Sequence, residues 1–182
     1  VLQNRWQAAT VHWACQFAGV IVTPVNWRAT GAELDDFVEN SDAKAIVYDS
    51  VAAASVAQSA KAQGRARIAL ESARPGETSW AALVERKAPD ATPQAGADAW
   101  SIMLYTSGTT AAPKGVPRRH RAERAAALAH VAQNMYAHGE RTLGVMPLYH
   151  TMGVRSLLAM SLIGGTFVCL PRFDVEKALA LI

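Results

Sequence analysis

Short β-branched runs alternate with alanine-rich segments along this chain, and that alternation constrains its fold more than any other feature. Helical segments that are each followed by a short buried strand are typical of β–α–β units, which build parallel sheets. The sequence therefore predicts an α/β protein with mostly parallel sheets flanked by helices. The predicted strands are VIVTPVN, AIVYDS, RIAL, WSIMLYT, RTLGVMP and TFVCL, and the predicted helices cover 5–19, 30–43, 51–64, 79–86 and 120–137 and begin again at about 154 and 173.

Capping residues mark two of the predicted helices. Thr30 is followed three residues later by Glu33, the pattern of a capping box. Asp174 precedes the last helical segment and is a suitable N-cap, because its carboxylate can accept from free backbone N–H groups. These residues therefore predict two helix starts.

Residues 71–98 differ in composition from the rest of the chain, with Pro75, Gly76, Pro89, Pro93 and Gly96. Proline and glycine residues at this density interrupt regular structure, so they predict a loop-rich linker that carries one short helix. We therefore expect an α/β lobe over 1–98, ending in this linker, and a second α/β lobe over 99–182.

Both ends of the chain indicate an incomplete portion of a larger protein. The sequence begins Val-Leu-Gln-Asn without a methionine, and it stops within the last predicted helix. Sheet edges left without their neighbouring strands invite pairing. We therefore expect exposed edges that would allow self-association into a homo-oligomer.

Composition excludes several classes of function. The net charge of +3 is too small to indicate nucleic-acid binding, and the basic cluster 114–124 is interpreted as a solvated turn and helix start. Cys15 and Cys169 lie far apart, which favours reduced thiols in a cytoplasmic protein. The longest apolar stretch, 154–171, is interrupted by Arg155 and a Gly pair, so no membrane span is expected. The histidines show no zinc-ligand spacing.

The stretch LYTSGTTAAPKGV, residues 104–116, follows a predicted strand and precedes a predicted helix. Glycine, hydroxyl groups and a lysine in such a turn are suited to binding an anion. A Walker A loop is excluded, because Gly115 follows Lys114 and no Ser or Thr comes next. A dinucleotide G-x-G-x-x-G pattern is also missing from the sequence. The stretch therefore predicts a phosphate loop of another kind.

This stretch resembles the phosphate-binding loop of the adenylate-forming superfamily, whose pattern is roughly Y-T-S-G-T-T-G-x-P-K-G-V. The superfamily includes acyl-CoA synthetases, aryl-CoA ligases, luciferases and peptide-synthetase adenylation domains. Residues 105–116 match the pattern except that Ala111 replaces its second glycine. The segment MPLYHTMG, 146–153, resembles the aromatic-histidine motif of the same proteins, and 17–50 resembles their upstream helices and strands. The resemblance implies part of the large N-terminal domain of an adenylate-forming enzyme, closest to aryl- and acyl-CoA ligases.

The resemblance implies ATP-dependent activation of a carboxylic acid as an acyl adenylate, followed by transfer to CoA, with Mg²⁺ as the metal ion. By resemblance Lys114 and His150 are catalytic, Tyr149 and His150 bind the acid, and Thr106 also binds Mg²⁺. The segment TMGVRSLL is most similar to ligases of small aromatic or heteroaromatic acids. The residues that the resemblance assigns to the phosphates are Thr106, Ser107, Gly108, Thr109, Thr110 and Lys114.

Simpler interpretations stay open at several of these positions. Lys114 could be a solvated lysine, Tyr149 a core aromatic and His150 a packed histidine. The Cβ of Ala111 disfavours a positive φ, so either the φ angle there is negative or the loop is less flexible than in relatives.

The motifs that the superfamily uses for adenine, ribose and its C-terminal catalytic lysine are not in this sequence. We therefore expect that the 182-residue chain alone is not catalytically competent. The alternative function is a truncated nucleotide- or partner-binding protein without adenylation activity. A reading frame that continues past Ile182 into those motifs would favour the ligase.

Overall fold

The computed structural model describes residues 1–88, 92–106 and 113–182. They form two compact units, the first comprising Val1–Leu2 and Thr23–Ala91 and the second comprising Gln3–Val22 and Thr92–Ile182. The sequence-based division had a single boundary near residue 98. The two divisions differ mainly at residues 3–22, which belong to the second unit rather than to the first.

Helices and short strands alternate along the chain, as predicted. The α/β class with mostly parallel strands is confirmed. The elements are α1 (Trp6–Ala18), α2 (Gly31–Ser41), β1 (Ala45–Tyr48), α3 (Ala53–Gln58), α4 (Ala60–Gln63), β2 (Ala66–Ala69), β3 (Thr78–Ser79), α5 (Trp80–Val84), β4 (Trp100–Thr106), β5 (Lys114–Arg119), α6 (His120–Asn134), β6 (Arg141–Gly144), α7 (Thr151–Leu162), β7 (Thr166–Cys169) and α8 (Val175–Ala180).

The first unit is built on a parallel sheet with strand order β1-β2-β3. Ala45 lies opposite Ala66, and Ile68 lies opposite Thr78. Buried side chains of the helices and of the strands form one hydrophobic cluster in this unit. The buried core residues of this unit include Leu34, Val38, Ile46, Tyr48, Ala52, Val56, Ala62 and Ala69.

Both predicted helix caps are confirmed. The backbone N–H of Glu33 donates to Thr30 Oγ1 at 3.3 Å, and the backbone N–H of Thr30 donates to Glu33 Oε2 at 2.7 Å. The N–H of Lys177 donates to Asp174 Oδ1 at 2.9 Å. Each cap satisfies donors that the first turn of a helix leaves without an intrahelical acceptor.

Glu77 is the centre of a partly buried polar network in the first unit. Its carboxylate accepts from the Tyr48 hydroxyl, from Arg67 Nε at 3.0 Å and from the Arg74 backbone N–H at 2.9 Å. The Glu77 side chain is 2% exposed and that of Arg67 is 13% exposed. Burial, together with the neighbouring Glu77 carboxylate, raises the pKa of Tyr48 to about 12. Burial favours a higher pKa for Glu77, but its hydrogen bonds outweigh that effect and lower the pKa.

Within its described residues, the second unit contains two two-stranded sheets. β4 pairs with β5 antiparallel, and β6 pairs with β7 parallel, with Arg141 opposite Thr166. Helix α7 contributes buried side chains to two hydrophobic clusters of this unit. Its buried Val154 packs with Ile102 and Leu104 of β4, and Met160 belongs to a second cluster.

Several predicted elements were wrong or displaced. The predicted strand VIVTPVN forms only an isolated bridge from Val22 to Ile102, because the chain leaves the second unit there and Pro24 offers no N–H. Strand β5 was not predicted. The predicted helix over 51–64 is broken at Ser59, whose hydroxyl oxygen caps α4 by accepting from the Ala62 N–H.

The apolar stretch 154–171 forms the helix, glycine turn and strand that its sequence predicted. Gly164, with φ of 62°, makes the turn between α7 and β7. Across the part of the chain that the structure describes, no helix combines the length and the apolarity that a bilayer crossing needs.

Candidate functional site

Strands β4 and β5 bring the two ends of the predicted phosphate loop together. Thr106 ends β4, Lys114 begins β5, and these two residues are register partners in the antiparallel pair. Both side chains are exposed. Ser107, Gly108, Thr109 and Thr110, together with Ala111, lie outside the described residues, so their predicted roles stay predictions. A hydroxyl and an ammonium group therefore flank the base of the loop.

The hairpin is anchored through β4. Ile102 is fully buried and Leu104 is 3% exposed, so alternate residues of β4 fix the strand in the core. β5 has no buried residue and contains Pro117, which suits a strand with no further partner in the described sheet. At the open end of the hairpin the Arg119 guanidinium lies 4.5 Å from the centre of the Trp100 ring.

Tyr149 and His150 lie together between β6 and α7. Tyr149 is half-buried and His150 is exposed, and their ring centres are 4.8 Å apart. His150 occupies the N-cap position of α7 with extended backbone, but its side chain does not cap the helix. The His150 carbonyl accepts from the Val154 N–H at 3.2 Å. The backbone is thus held by the helix start while the imidazole stays available to a ligand.

Gly153 allows the turn before His150 to lie directly against the first turn of α7. A Cβ at this position would be 2.2 Å from the Pro147 carbonyl oxygen and 2.7 Å from that of Met146. Such distances are well below contact, so only glycine fits without a backbone shift. The final glycine of the MPLYHTMG segment is therefore a packing requirement.

Asn4, in the N-terminal segment of the second unit, holds this turn through hydrogen bonds. This role was not predicted from the sequence. Asn4 Nδ2 donates to the carbonyl oxygens of Gly144 at 2.9 Å and Met146 at 2.8 Å, and Asn4 Oδ1 accepts from the Leu148 N–H at 2.8 Å. The Asn4 side chain is buried, with the residue 5% exposed. All three partners are backbone groups, so no side-chain motif signals the contact. Asn4 thus fixes the path of the chain that leads to Tyr149.

The described donors fit Mg²⁺ only if phosphates and water complete its coordination. Thr106 is the residue predicted to bind the ion, and its hydroxyl is one neutral oxygen at an exposed strand end. In the described ranges no three His, Cys, Asp or Glu side chains are grouped to hold a metal ion. Mg²⁺ usually keeps several waters and binds substrate phosphates, so a single hydroxyl ligand is compatible with it.

Comparison with known proteins indicates which family the chain belongs to. The family described as AMP-binding enzyme matches residues 1–182. Long-chain-fatty-acid–CoA ligase FadD13 of Mycobacterium tuberculosis is 27% identical over 95% of this chain and 35% of its own length. 4-Chlorobenzoate–CoA ligase of a Pseudomonas species is 39% identical over 44% of this chain and 16% of its own length.

A solved structure of a similar protein has the same fold over nearly the whole chain. The crystal structure of ATP-bound MatB from Rhodopseudomonas palustris is 28% identical, has a TM-score of 0.83, and is matched over 99% of this chain and 36% of that chain. The chain spans about a third of the length of the curated relatives that it matches over most of its own length. With the family match extending over every residue, the chain belongs to the AMP-binding enzymes of the adenylate-forming superfamily.

Proposed function

We propose that the complete protein is an AMP-forming acid–thiol ligase, which activates a carboxylic acid with ATP and transfers the acyl group to CoA. The observation that carries the proposal is the stretch 105–116, within which Thr106 at the end of β4 and Lys114 at the start of β5 are register partners. The ligase names of the relatives and the ATP bound in the MatB structure support it.

The proposed first step joins the acid to the nucleotide. A carboxylate oxygen attacks the α-phosphorus of ATP, and the bond to the bridging oxygen of the β-phosphate breaks, so that pyrophosphate leaves with the electron pair. In this proposal Lys114 offsets the negative charge that gathers on the pyrophosphate, and the loop hydroxyls donate hydrogen bonds to it. Such preorganised donors lower the barrier because they require no reorganisation during the reaction.

The acid is proposed to bind on the Tyr149 side of the site. The His150 imidazole, which is exposed and not used in capping, can donate a hydrogen bond to one carboxylate oxygen and so turn the other toward phosphorus. Tyr149 would form a wall of the acyl pocket. In the second step the CoA thiolate attacks the acyl carbon and AMP leaves. Mg²⁺, when bound, would neutralise charge on the phosphates.

Acid-dependent exchange of labelled pyrophosphate into ATP tests the first step directly. We expect exchange in the complete protein with one class of a panel of aliphatic, aromatic and heteroaromatic acids. We propose a small aromatic or heteroaromatic acid as the substrate, because the TMGVRSLL segment resembles ligases of such acids. We also propose a cytoplasmic location. ATP binding without exchange for any acid would favour the alternative, a nucleotide- or partner-binding protein without adenylation activity.

Replacing Lys114, Thr109 or Thr110 with alanine should slow pyrophosphate exchange by about 10²–10³, the usual loss for one oriented donor that acts in the transition state. Lys177→Ala is the matched control, because Lys177 is an exposed lysine of α8. The control should exchange at the wild-type rate. Wild-type exchange in all three loop variants would remove the loop from the mechanism.

His150→Ala should raise KM for the acid and lower kcat while KM for ATP stays nearly unchanged. The lost hydrogen bond to a charged group is worth about 1.5–3 kcal/mol, and it acts on the acid side only. His138→Ala, at an exposed turn residue, is the control and should leave both KM values unchanged. A lower melting temperature with a normal KM for the acid would show that His150 only packs.

A further inference from the structure

The guanidinium of Arg118 joins three elements of the second unit. Arg118 lies in β5, four positions after Lys114. Its Nη2 donates to Thr151 Oγ1 at 2.7 Å, and its Nη1 lies 3.3 Å from Glu123 Oε1. Thr151 is the first residue of α7 and directly follows His150. One side chain therefore connects the strand that leaves the phosphate loop to the helix start that carries His150.

Burial makes this connection stiff. The Glu123 side chain is 5% exposed and that of Arg118 is 24% exposed. Glu123 Oε2 is buried and has no hydrogen-bond partner among the described residues, so Arg118 supplies the charge that compensates this carboxylate. Moving Arg118 away would leave a buried charge uncompensated, which is strongly unfavourable. The planar fork of the guanidinium then fixes the direction in which Nη2 reaches Thr151.

We propose that Arg118 is a positioning residue that sets the spacing between the phosphate side and the acid side of the site. The proposal rests on the proposed ligase function. Attack on the α-phosphorus requires the reacting atoms to be held about 3–3.5 Å apart, and a displacement of about 1 Å can cost about 10²-fold in rate. Among the described residues, the Arg118 guanidinium contacts Thr151 and Glu123, and in this proposal it acts on His150 through Thr151.

The neighbouring residue provides an internal control. Arg119 lies on the same strand, but its guanidinium donates to the carbonyl oxygen of Asp98 and stacks on Trp100. Neither partner belongs to the predicted site. Arg119→Met therefore removes an equal charge from the same strand without touching the connection to Thr151.

The test compares Arg118→Met, Thr151→Val, their double variant and Arg119→Met in the complete protein. We expect Arg118→Met to lower kcat for acid-dependent pyrophosphate exchange about tenfold or more, with the Kd for ATP unchanged. Thr151→Val keeps the Arg118–Glu123 pair, so it guards against a folding defect, and it should show a similar loss. The double variant should be no slower than Arg118→Met, because both substitutions break the same hydrogen bond between Arg118 and Thr151. Arg119→Met should exchange like the wild type.

Backbone amide hydrogen exchange gives a readout that does not depend on activity. We expect faster exchange at residues 150–154 in Arg118→Met and Thr151→Val but not in Arg119→Met. Equal kinetic losses in both arginine variants, additive effects of Arg118 and Thr151, or unchanged amide exchange would each overturn the inference. A wild-type protein without pyrophosphate exchange for any acid would instead contradict the proposed function, and the amide exchange would still decide whether the connection exists.

Discussion

Asn4→Leu should lower the free energy of unfolding by about 4 kcal/mol, because it removes three hydrogen bonds worth about 1–1.5 kcal/mol each. Two carbonyl groups and the Leu148 N–H would lose their buried partner. Leucine fills a similar volume, so the loss reports hydrogen bonding more than a cavity. Urea unfolding followed by fluorescence measures it, and the acid-dependent activity proposed for the Tyr149 side should fall in parallel.

Asn134→Leu is the control for this change. Asn134 is an exposed residue at the end of α6 whose side chain donates to the carbonyl oxygen of His130 one turn earlier. Substitutions at such surface positions usually change stability by about 0.5 kcal/mol or less. Equal destabilisation by the two substitutions would mean that the Asn4 contacts do not hold the turn.

Glu77→Ala should destabilise the first unit by about 3–5 kcal/mol, the usual cost of removing one partner of a buried ion pair. Arg67 would keep its charge at 13% exposure without its carboxylate partner, and the Tyr48 hydroxyl would lose its acceptor. The same measurement on Glu39→Ala provides the comparison. Glu39 pairs with Lys61 at 2.9 Å, but its side chain is 66% exposed, so its loss should cost less than about 1 kcal/mol.

The Glu77 network also gives a dependence on pH whose sign is fixed by its lowered pKa. The folded carboxylate binds a proton less readily than the unfolded one, whose pKa lies near 4.5. The stability that Glu77 contributes is therefore complete above the unfolded pKa and is lost as the pH falls below it. The difference in unfolding free energy between wild type and Glu77→Ala should shrink as the pH falls from about 6 to about 3. A difference that stays constant would mean that folding leaves the pKa of Glu77 unchanged, and one that grows would mean that folding raises this pKa.

Local signals accounted for the elements that the sequence predicted correctly. The Thr30–Glu33 box and the Asp174 cap involve residues three positions apart, so their geometry is determined within one helical turn. The buried strand β1 and the turn at Gly164 likewise follow from local composition. The motif resemblance added the family, which the match over residues 1–182 confirms.

The missed features depend on packing or on partners distant in the sequence rather than on local pattern. β5 carries charged residues and Pro117, so its sequence does not read as a strand, and its pairing comes from the buried β4. Asn4 binds only backbone groups, and Arg118 binds Thr151 33 positions away. No periodic pattern encodes such contacts. Residues 107–110 lie outside the described residues, so the roles assigned to them stay predictions.

The contact made by Asn4 has a consequence for the order of events on the ribosome. Leu148 lies 144 positions after Asn4, and residues 3–22 belong to a unit whose remainder begins only at Thr92. At about 5–20 residues per second, the nascent chain would wait on the order of 7–30 s before this asparagine could meet its partners. The intervening first unit can fold during that delay. Slowing translation after residue 92 should therefore prolong the exposure of α1 to chaperones more than that of the first unit.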